Sequence, residues 1–541
     1  MDSTPPIRSL AAEEGNFQIP LWSVPLVLLV IYVCLFSGLG VLGLVGPDEP
    51  RYAAIARAMT ETHDWITPRL WGTPWFEKPV LYYWMAGIAM RMFGVSEFSV
   101  RLPSALAALL AVAAAAWTAL RSYGVSTAWY LLLMLPASVA MIGFSRAAGP
   151  DMLFAGLLTA AMAIAVEMLQ KPRPGLSLRI AFGFFLGAAV LAKGPAAVVL
   201  AGGSTLAWAV FTRQWRAIFC FLHPVVIAVF CATALPWYVM CALRNPDFLR
   251  VFLWQHNFER YTTPIFEHNQ PFWYYGPILL LAVAPWILFL PVALIGGVLR
   301  LKSKARLDSI DIFLACWALF PILFFSFSQS KLPGYILSAI PPLSILLARW
   351  VAECVRSKPR TVLRALGWTG ALLLPPVILS VAALKSGIDR WFPAGYVVAG
   401  FVMFFFGVVI ALLAWKGRLT AALACVSIFV ISTVATANFA VLPGLDSQIS
   451  PRHLAKRLRE AGAASDNLAI YEIPRTWKYG LDFYMNRELP EWVPGKSEPE
   501  WILGGLPPDV HLATQFATRY KTAPGESFQE IPFDPLLFQR R

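Results

Sequence analysis

Long apolar runs broken by short polar stretches dominate this chain. A helix needs roughly 20 apolar residues to cross the hydrocarbon core of a bilayer. On that ruler the pattern predicts spans near 20–42, 101–120, 128–147, 151–169, 180–193, 195–211, 217–241, 273–298, 311–327, 333–352, 362–384, 393–415 and 420–441. The pair that meets at Gly194-Pro195 reads either as one broken region or as two tight spans. Segment 80–93 (VLYYWMAGIAMRMF) is apolar but short, which suits an interfacial or re-entrant helix. After Leu442 the pattern changes. Residues 443–541 mix Pro, Gly and charges of both signs, and runs such as NLAIYEI and YGLDFYM suit a small α+β domain.

The first polar interruption is the richest. The stretch 43–79, GLVGPDEPRYAAIARAMTETHDWITPRLWGTPWFEKP, crowds nine Asp, Glu, Lys and Arg residues beside the first apolar run. Such groups are costly to keep next to a membrane and mark a functional site by default. The expected division is therefore a membrane domain over 1–442, with 43–100 as its first outer loop carrying interfacial helices, and a soluble domain over 443–541.

Composition agrees with a membrane protein. Hydrophobic residues make up 58% of the 541 and charged residues only 14%, against about a quarter charged in a soluble chain. The net charge of +13 would suggest nucleic acid in a soluble protein. Here the basic residues sit in short loops, so orientation by the positive-inside rule and contact with anionic lipid are the plainer explanation, and no nucleic-acid partner is expected. Lys171, Arg173 and Arg179, then Arg213 and Arg216, then Arg300 to Arg306, then Arg356 to Arg364, then Lys416 and Arg418 alternate two spans apart. They define the cytosolic side. The first loop, loop 244–272, turn 328–332 and the C-terminal region then lie outside the cytosol. The seven cysteines lie in or beside apolar runs without a CxxC pair, so neither a disulfide framework nor a zinc motif is indicated.

Several outer residues run against that sorting rule, among them Arg51, Lys78, Arg260 and Lys331. An anionic ligand at the outer face accounts for them. Asp48-Glu49-Pro50 reads as a helix start, in which one carboxylate caps while the other faces a chamber. Asp151, after Pro150, is a second carboxylate at a span junction. Glu77-Lys78 precedes an aromatic apolar segment, at headgroup level. His256 and His268 in loop 244–272 make a metal site with Glu77 one reading, and an interfacial aromatic belt the other. Lys331 and Tyr335 stand at an outer junction, where a snorkelling lysine is the bland alternative.

Together GPDEPRYA (46–53), DWITPRLWGTPWFEKPVLYYW (64–84), the junction at Asp151, LAKGP (191–195), QPFWYYGPILLLAVAPW (270–286) and FSQSKLPGYILSAIPPL (327–343) resemble the GT-C glycosyltransferases of the protein-O-mannosyltransferase superfamily, most nearly the bacterial lipid A aminoarabinose transferases. The likeness covers roughly the first 350 residues, and Pro50 stands where that pattern has a small residue. It implies an all-α membrane fold of about 13 transmembrane helices with a small periplasmic α+β domain. It also implies a multi-pass protein of the bacterial inner membrane with a periplasmic active site. The implied activity is inverting transfer of a sugar from a polyprenyl (undecaprenyl) phosphate carrier to lipid A or another envelope glycan. Asp48 is then the leading catalytic carboxylate, with Asp151 and Glu49 beside it. Lys78, Arg260, Arg51, Lys331 and Tyr335 hold or line the donor phosphate, and Glu77 with His256 would hold a divalent metal, if one is used. All are expected to meet in one outer-leaflet pocket. A protein O-mannosyltransferase-like enzyme, a polytopic lipid or solute transporter, and an envelope scaffold are the competing readings. The visible lack of an internal repeat weighs against the transporter.

Overall fold

The computed structural model describes residues 19–263, 269–302, 308–377, 395–463, 467–493, 498–504, 519–527 and 536–540. Of the sequence expectations, His268 and the end of the span at 362–384 lie outside these residues. Helix dominates. Among the described residues eight helices are long and apolar enough to cross a membrane, or nine if the bent pair Val125–Met134 and Val139–Ser145 is one span. That pair turns by 61°, so the predicted span at 128–147 is a broken one. The helices at Gly194-Pro195 are two, Leu176–Lys193 and Ala196–Thr212. Gly194 joins them at φ 93°, a conformation that suits glycine. The predicted span at 273–298 is interrupted as well, since Tyr275–Ala282 and Phe289–Lys302 are separate helices.

The chain forms two compact units. The first contains residues 1–37, 76–82 and 102–436. Its central helix, Pro150–Leu169, is buried along almost its whole length. Helix Leu176–Lys193 packs on it and also on Pro224–Arg244. Gly183 and Gly187 face that second neighbour: an added Cβ would lie 2.6 Å from the Val226 carbonyl oxygen and 2.8 Å from the Thr233 Cβ. Small residues four apart let helix backbones approach where lipid supplies no hydrophobic drive. The first helix, Ser23–Ile31, runs into a π-helical turn, Tyr32–Phe36. Arg146 caps the carbonyls this turn leaves open, donating to Val33 (2.7 Å), Ser37 (3.0 Å) and Cys34.

The second unit gathers residues 38–75, 83–101 and 437–541. The first loop and the C-terminal region thus fold as one body. Its loop part contains helix Asp48–Thr62 and a small hairpin, Arg69–Leu70 with Thr73–Pro74. Its C-terminal part is a four-stranded sheet in the order Leu468–Tyr471, Trp501–Gly504, Leu536–Arg540, Tyr520–Ser527. The first two strands are parallel and the other pairs antiparallel. Helices Arg452–Glu460 and Arg475–Met485 cover the sheet through Leu454, Leu458, Trp477 and Leu481.

Polar staples hold loop and C-terminal parts together. The buried Asp446 carboxylate accepts from the Gly43 amide at 2.7 Å and from Arg452. Arg452 also donates to the Val41 carbonyl at 2.7 Å. The Tyr484 hydroxyl accepts from the Leu44 amide and donates to Glu97, both at 2.8 Å. Each pairing satisfies a group that would be costly to bury alone.

Candidate active site

The sequence Gly-Pro-Asp at 149–151 starts the central helix of the first unit, with Pro150 in its first turn. Proline is pre-organised there, and an acid in the first turn is favoured by the helix dipole. Asp151 is thereby fixed, and its carboxylate pairs with Lys193, the last residue of the neighbouring helix. The Lys193 ammonium lies 4.8 Å from the Tyr335 ring centre and 5.5 Å from that of Phe154. Gly334 packs directly on this pair: a Cβ there would stand 3.1 Å from Asp151 Cγ and 2.9 Å from the Phe144 ring.

Glu77 and Lys78 join the same cluster. Glu77 Oε1 lies 3.3 Å from Lys78 Nζ and 3.5 Å from Arg260 Nη1. Lys78 and Arg260 are close enough to act electrostatically on Asp151. Their side chains are mostly buried, so the field they make is weakly screened. Three cations, Lys78, Lys193 and Arg260, stand against two carboxylates, Glu77 and Asp151. The excess is positive and suits an anion.

An aromatic stack holds this cluster in shape. Phe76, just before Glu77, meets Phe248 edge-on at 5.2 Å, and Phe248 stacks on Phe252 at 5.7 Å. Gly194, just after Lys193, presses on the same Phe252: an added Cβ would lie 2.8 Å from its ring. One wall therefore positions both an anchor of Glu77 and the end of the lysine helix.

Lys331 serves differently from the phosphate ligand expected of it. It is buried, and its ammonium donates to the carbonyls of Gln270 (2.9 Å) and Ser328 (2.6 Å). Burial pushes its pKa below the usual lysine value. It closes the junction between the segments at 270 and 331.

In the second unit the two adjacent carboxylates part company. Glu49 points inward: Oε2 accepts from Arg101 at 2.7 Å and from the Val45 amide at 2.9 Å, and Oε1 accepts from Arg101 at 3.2 Å. Arg101 spends its remaining donors on the carbonyls of Leu39, Leu42 and Gly43. Glu49, expected among the catalytic carboxylates, is engaged by this lock. Asp48 points outward with 57% of its side chain exposed. Arg51 donates to it. Arg51 itself is buried, donates to the Pro47 carbonyl at 2.9 Å, and lies within cation–π distance of the rings of Trp75 and Tyr479. It is thus built to hold Asp48, where the sequence suggested a phosphate ligand.

His256 lies on the π-helical segment Arg250–Glu259 that leads into Arg260. Among the described residues no group of three or more His, Cys, Asp and Glu side chains is placed to hold a metal ion. Glu77 Oε1 is shared by two cations, Lys78 and Arg260.

The structure thus brings Asp151, Glu77, Lys78, Arg260 and Tyr335 together in the first unit, and places Asp48, Glu49 and Arg51 in the second. Lys193 is the residue that sequence reasoning misses. Its signal is a lysine ending a long apolar run directly before Gly-Pro.

The family model for dolichyl-phosphate-mannose-protein mannosyltransferases matches residues 21–252. The undecaprenyl phosphate-α-4-amino-4-deoxy-L-arabinose arabinosyl transferase of Edwardsiella ictaluri is 34% identical over 357 residues, which cover 65% of this chain and 63% of that protein. The transferase of the same name from Pectobacterium carotovorum is 31% identical over 379 residues, covering 70% of this chain and 67% of its own length. The chain belongs to the aminoarabinose transferase family. Its members' likeness to this chain spans about two thirds of their length or a little less. The crystal structure of the family's ArnT from Cupriavidus metallidurans bound to undecaprenyl phosphate superposes with a TM-score of 0.79, covering 96% of this chain and 97% of that one at 23% identity. That agreement shows the GT-C fold of a multi-pass membrane protein.

Proposed function

We propose that this chain is an inverting glycosyltransferase that moves a sugar from undecaprenyl phosphate to lipid A or another envelope glycan. The reaction we assign runs at the periplasmic face of the bacterial inner membrane, with about thirteen passes and the C-terminal region on that same face. Curated relatives are named for transfer from undecaprenyl phosphate-linked aminoarabinose, and that supports the donor class.

One observation carries the assignment of roles: of two neighbouring acids at a helix start, Glu49 is locked and Asp48 is open. An acceptor oxygen attacks the anomeric carbon from the face opposite the carrier. The bond from that carbon to the phosphate oxygen breaks, and undecaprenyl phosphate leaves with the electron pair. Asp48 orients the acceptor and takes its proton. Lys78 and Arg260 neutralise the charge growing on the departing phosphate, with Tyr335 lining that region. Asp151 and Lys193 keep this cation group in register. Because the leaving group is already a phosphate, no protonation by a second acid is needed.

The test compares lipids and glycans of cells with and without the protein by mass spectrometry. The expected result is loss of one amino sugar, pentose or hexose from lipid A or another glycan. A sugar lost from protein instead would favour a protein O-glycosyltransferase. Unchanged envelope composition with an altered distribution of a lipid would favour a transporter.

A further inference from the structure

Asp48 is an exposed carboxylate, so packing does not hold its rotamer. The group that holds it is Arg51, and its guanidinium lies within cation–π distance of two aromatic rings. Its Cζ lies 5.4 Å from the Trp75 ring centre and 5.3 Å from that of Tyr479. Tyr479 belongs to helix Arg475–Met485 of the C-terminal region, more than 400 residues along the chain from Arg51. On the same helix Arg475 lies 5.4 Å from the Tyr479 ring, so cation, ring, cation and ring alternate. Tyr479 cannot drift. Its helix is pinned by the Tyr484 bonds to Leu44 and Glu97, and by Trp477 and Leu481 in the core of the C-terminal region.

We infer that Tyr479 is a positioning residue for the transfer reaction: its ring clamps Arg51, which orients the Asp48 carboxylate. The C-terminal region is then a working part of the active site and not a tether. The inference rests on the reading that Asp48 is the reacting carboxylate. An arginine held against two aromatic rings keeps its planar fork in one orientation. With one ring removed, the guanidinium regains rotamers and shares its donors with water. A carboxylate displaced by a fraction of an ångström loses rate, while the donor phosphate is gripped elsewhere.

The test uses the full-length protein in detergent, with an undecaprenyl-phosphate-linked sugar as donor. Tyr479→Leu keeps an apolar side chain and removes the ring face; Tyr479→Phe keeps the face and removes the hydroxyl. Leucine should lower kcat about tenfold or more with donor KM within about twofold, and phenylalanine should restore kcat to within about twofold of the parent. Combining Tyr479→Leu with Arg51→Lys should give the kcat of Arg51→Lys alone, because the two act in series. A folded leucine variant with full kcat, or losses that multiply in the double variant, would overturn the inference. Asp48→Asn, run alongside, separates the two claims. If it retains activity, the reading of Asp48 falls. If it is inactive while the leucine variant is fully active, only the Tyr479 clamp falls.

Discussion

Glu49 and Arg101 form a buried ion pair across 52 residues of sequence, with Nη2 to Oε2 at 2.7 Å and Nε to Oε1 at 3.2 Å. The pair ties the start of helix Asp48–Thr62 to the start of helix Glu97–Tyr123, and the same guanidinium closes three carbonyls of the segment just before the first of these helices. This lock leaves Asp48, one residue earlier, facing outward from a rigid base.

The two acids should therefore fail in different ways. Glu49→Gln strands a buried guanidinium, which costs about 3–5 kcal/mol, so the thermal midpoint of the purified protein should drop sharply. Asp48→Asn removes an exposed charge. It should leave the midpoint within a degree or two and lower the transfer rate by about 100-fold or more. A thermal shift assay beside a transfer assay reads both.

Gly334 is required by space. Alanine there would bring a methyl group to 3.1 Å from Asp151 Cγ and 2.9 Å from Phe144. The carboxylate must shift from Lys193, and transfer should fall on the order of tenfold to 100-fold. Steady-state kinetics of Gly334→Ala checks this; unchanged kcat would show that the Asp151–Lys193 pair does not matter to the rate.

Lys78 and Arg260 share the Glu77 carboxylate. Removing either cation should weaken binding of undecaprenyl phosphate, since a hydrogen bond to a charged group is worth about 1.5–3 kcal/mol, or roughly tenfold to 100-fold in Kd. Arg260→Lys should recover only part of the loss, because a lysine cannot reproduce the planar fork. Titration of the lipid phosphate against each variant decides it.

Asp482 gives the C-terminal region a dependence on pH. It is fully buried, and one oxygen accepts from the Leu489 amide at 2.9 Å. Burial pushes its carboxyl up to about 7. The folded state thus favours the protonated form. The stability this contributes is complete below the unfolded value near 4 and is lost as pH rises through 7. Between those limits it falls by about 1.4 kcal/mol per pH unit. Melting of the full chain from pH 5 to pH 8 should show this decline, and Asp482→Asn should flatten it.

The apolar runs were readable because a bilayer demands length and greasiness, and Pro150–Leu169 stands where its run predicts. Asp48, Lys78 and Arg260 stood out as charges against that background. The bends were harder to see. Pro136 marks the broken pair around residues 135–138, but a span drawn by length and apolar content alone runs straight through it. Arg101 and Arg146 escaped notice because each works on carbonyls of distant segments. The union of the first loop with the C-terminal region was equally hidden. Its staples, Asp446, Arg452 and Tyr484, are ordinary residue types in a polar stretch, and only their partners give them meaning. Lys193 read as part of a loop boundary until its helix brought it to Asp151.

The most direct measurement reconstitutes the purified chain in lipid with an undecaprenyl-phosphate-linked amino sugar and lipid A, and follows both by mass spectrometry. The account predicts that lipid A gains the mass of one sugar residue while free undecaprenyl phosphate appears in equal amount, and that Asp48→Asn produces neither. An acceptor that stays unmodified beside an intact donor, or equal transfer by Asp48→Asn, would contradict it.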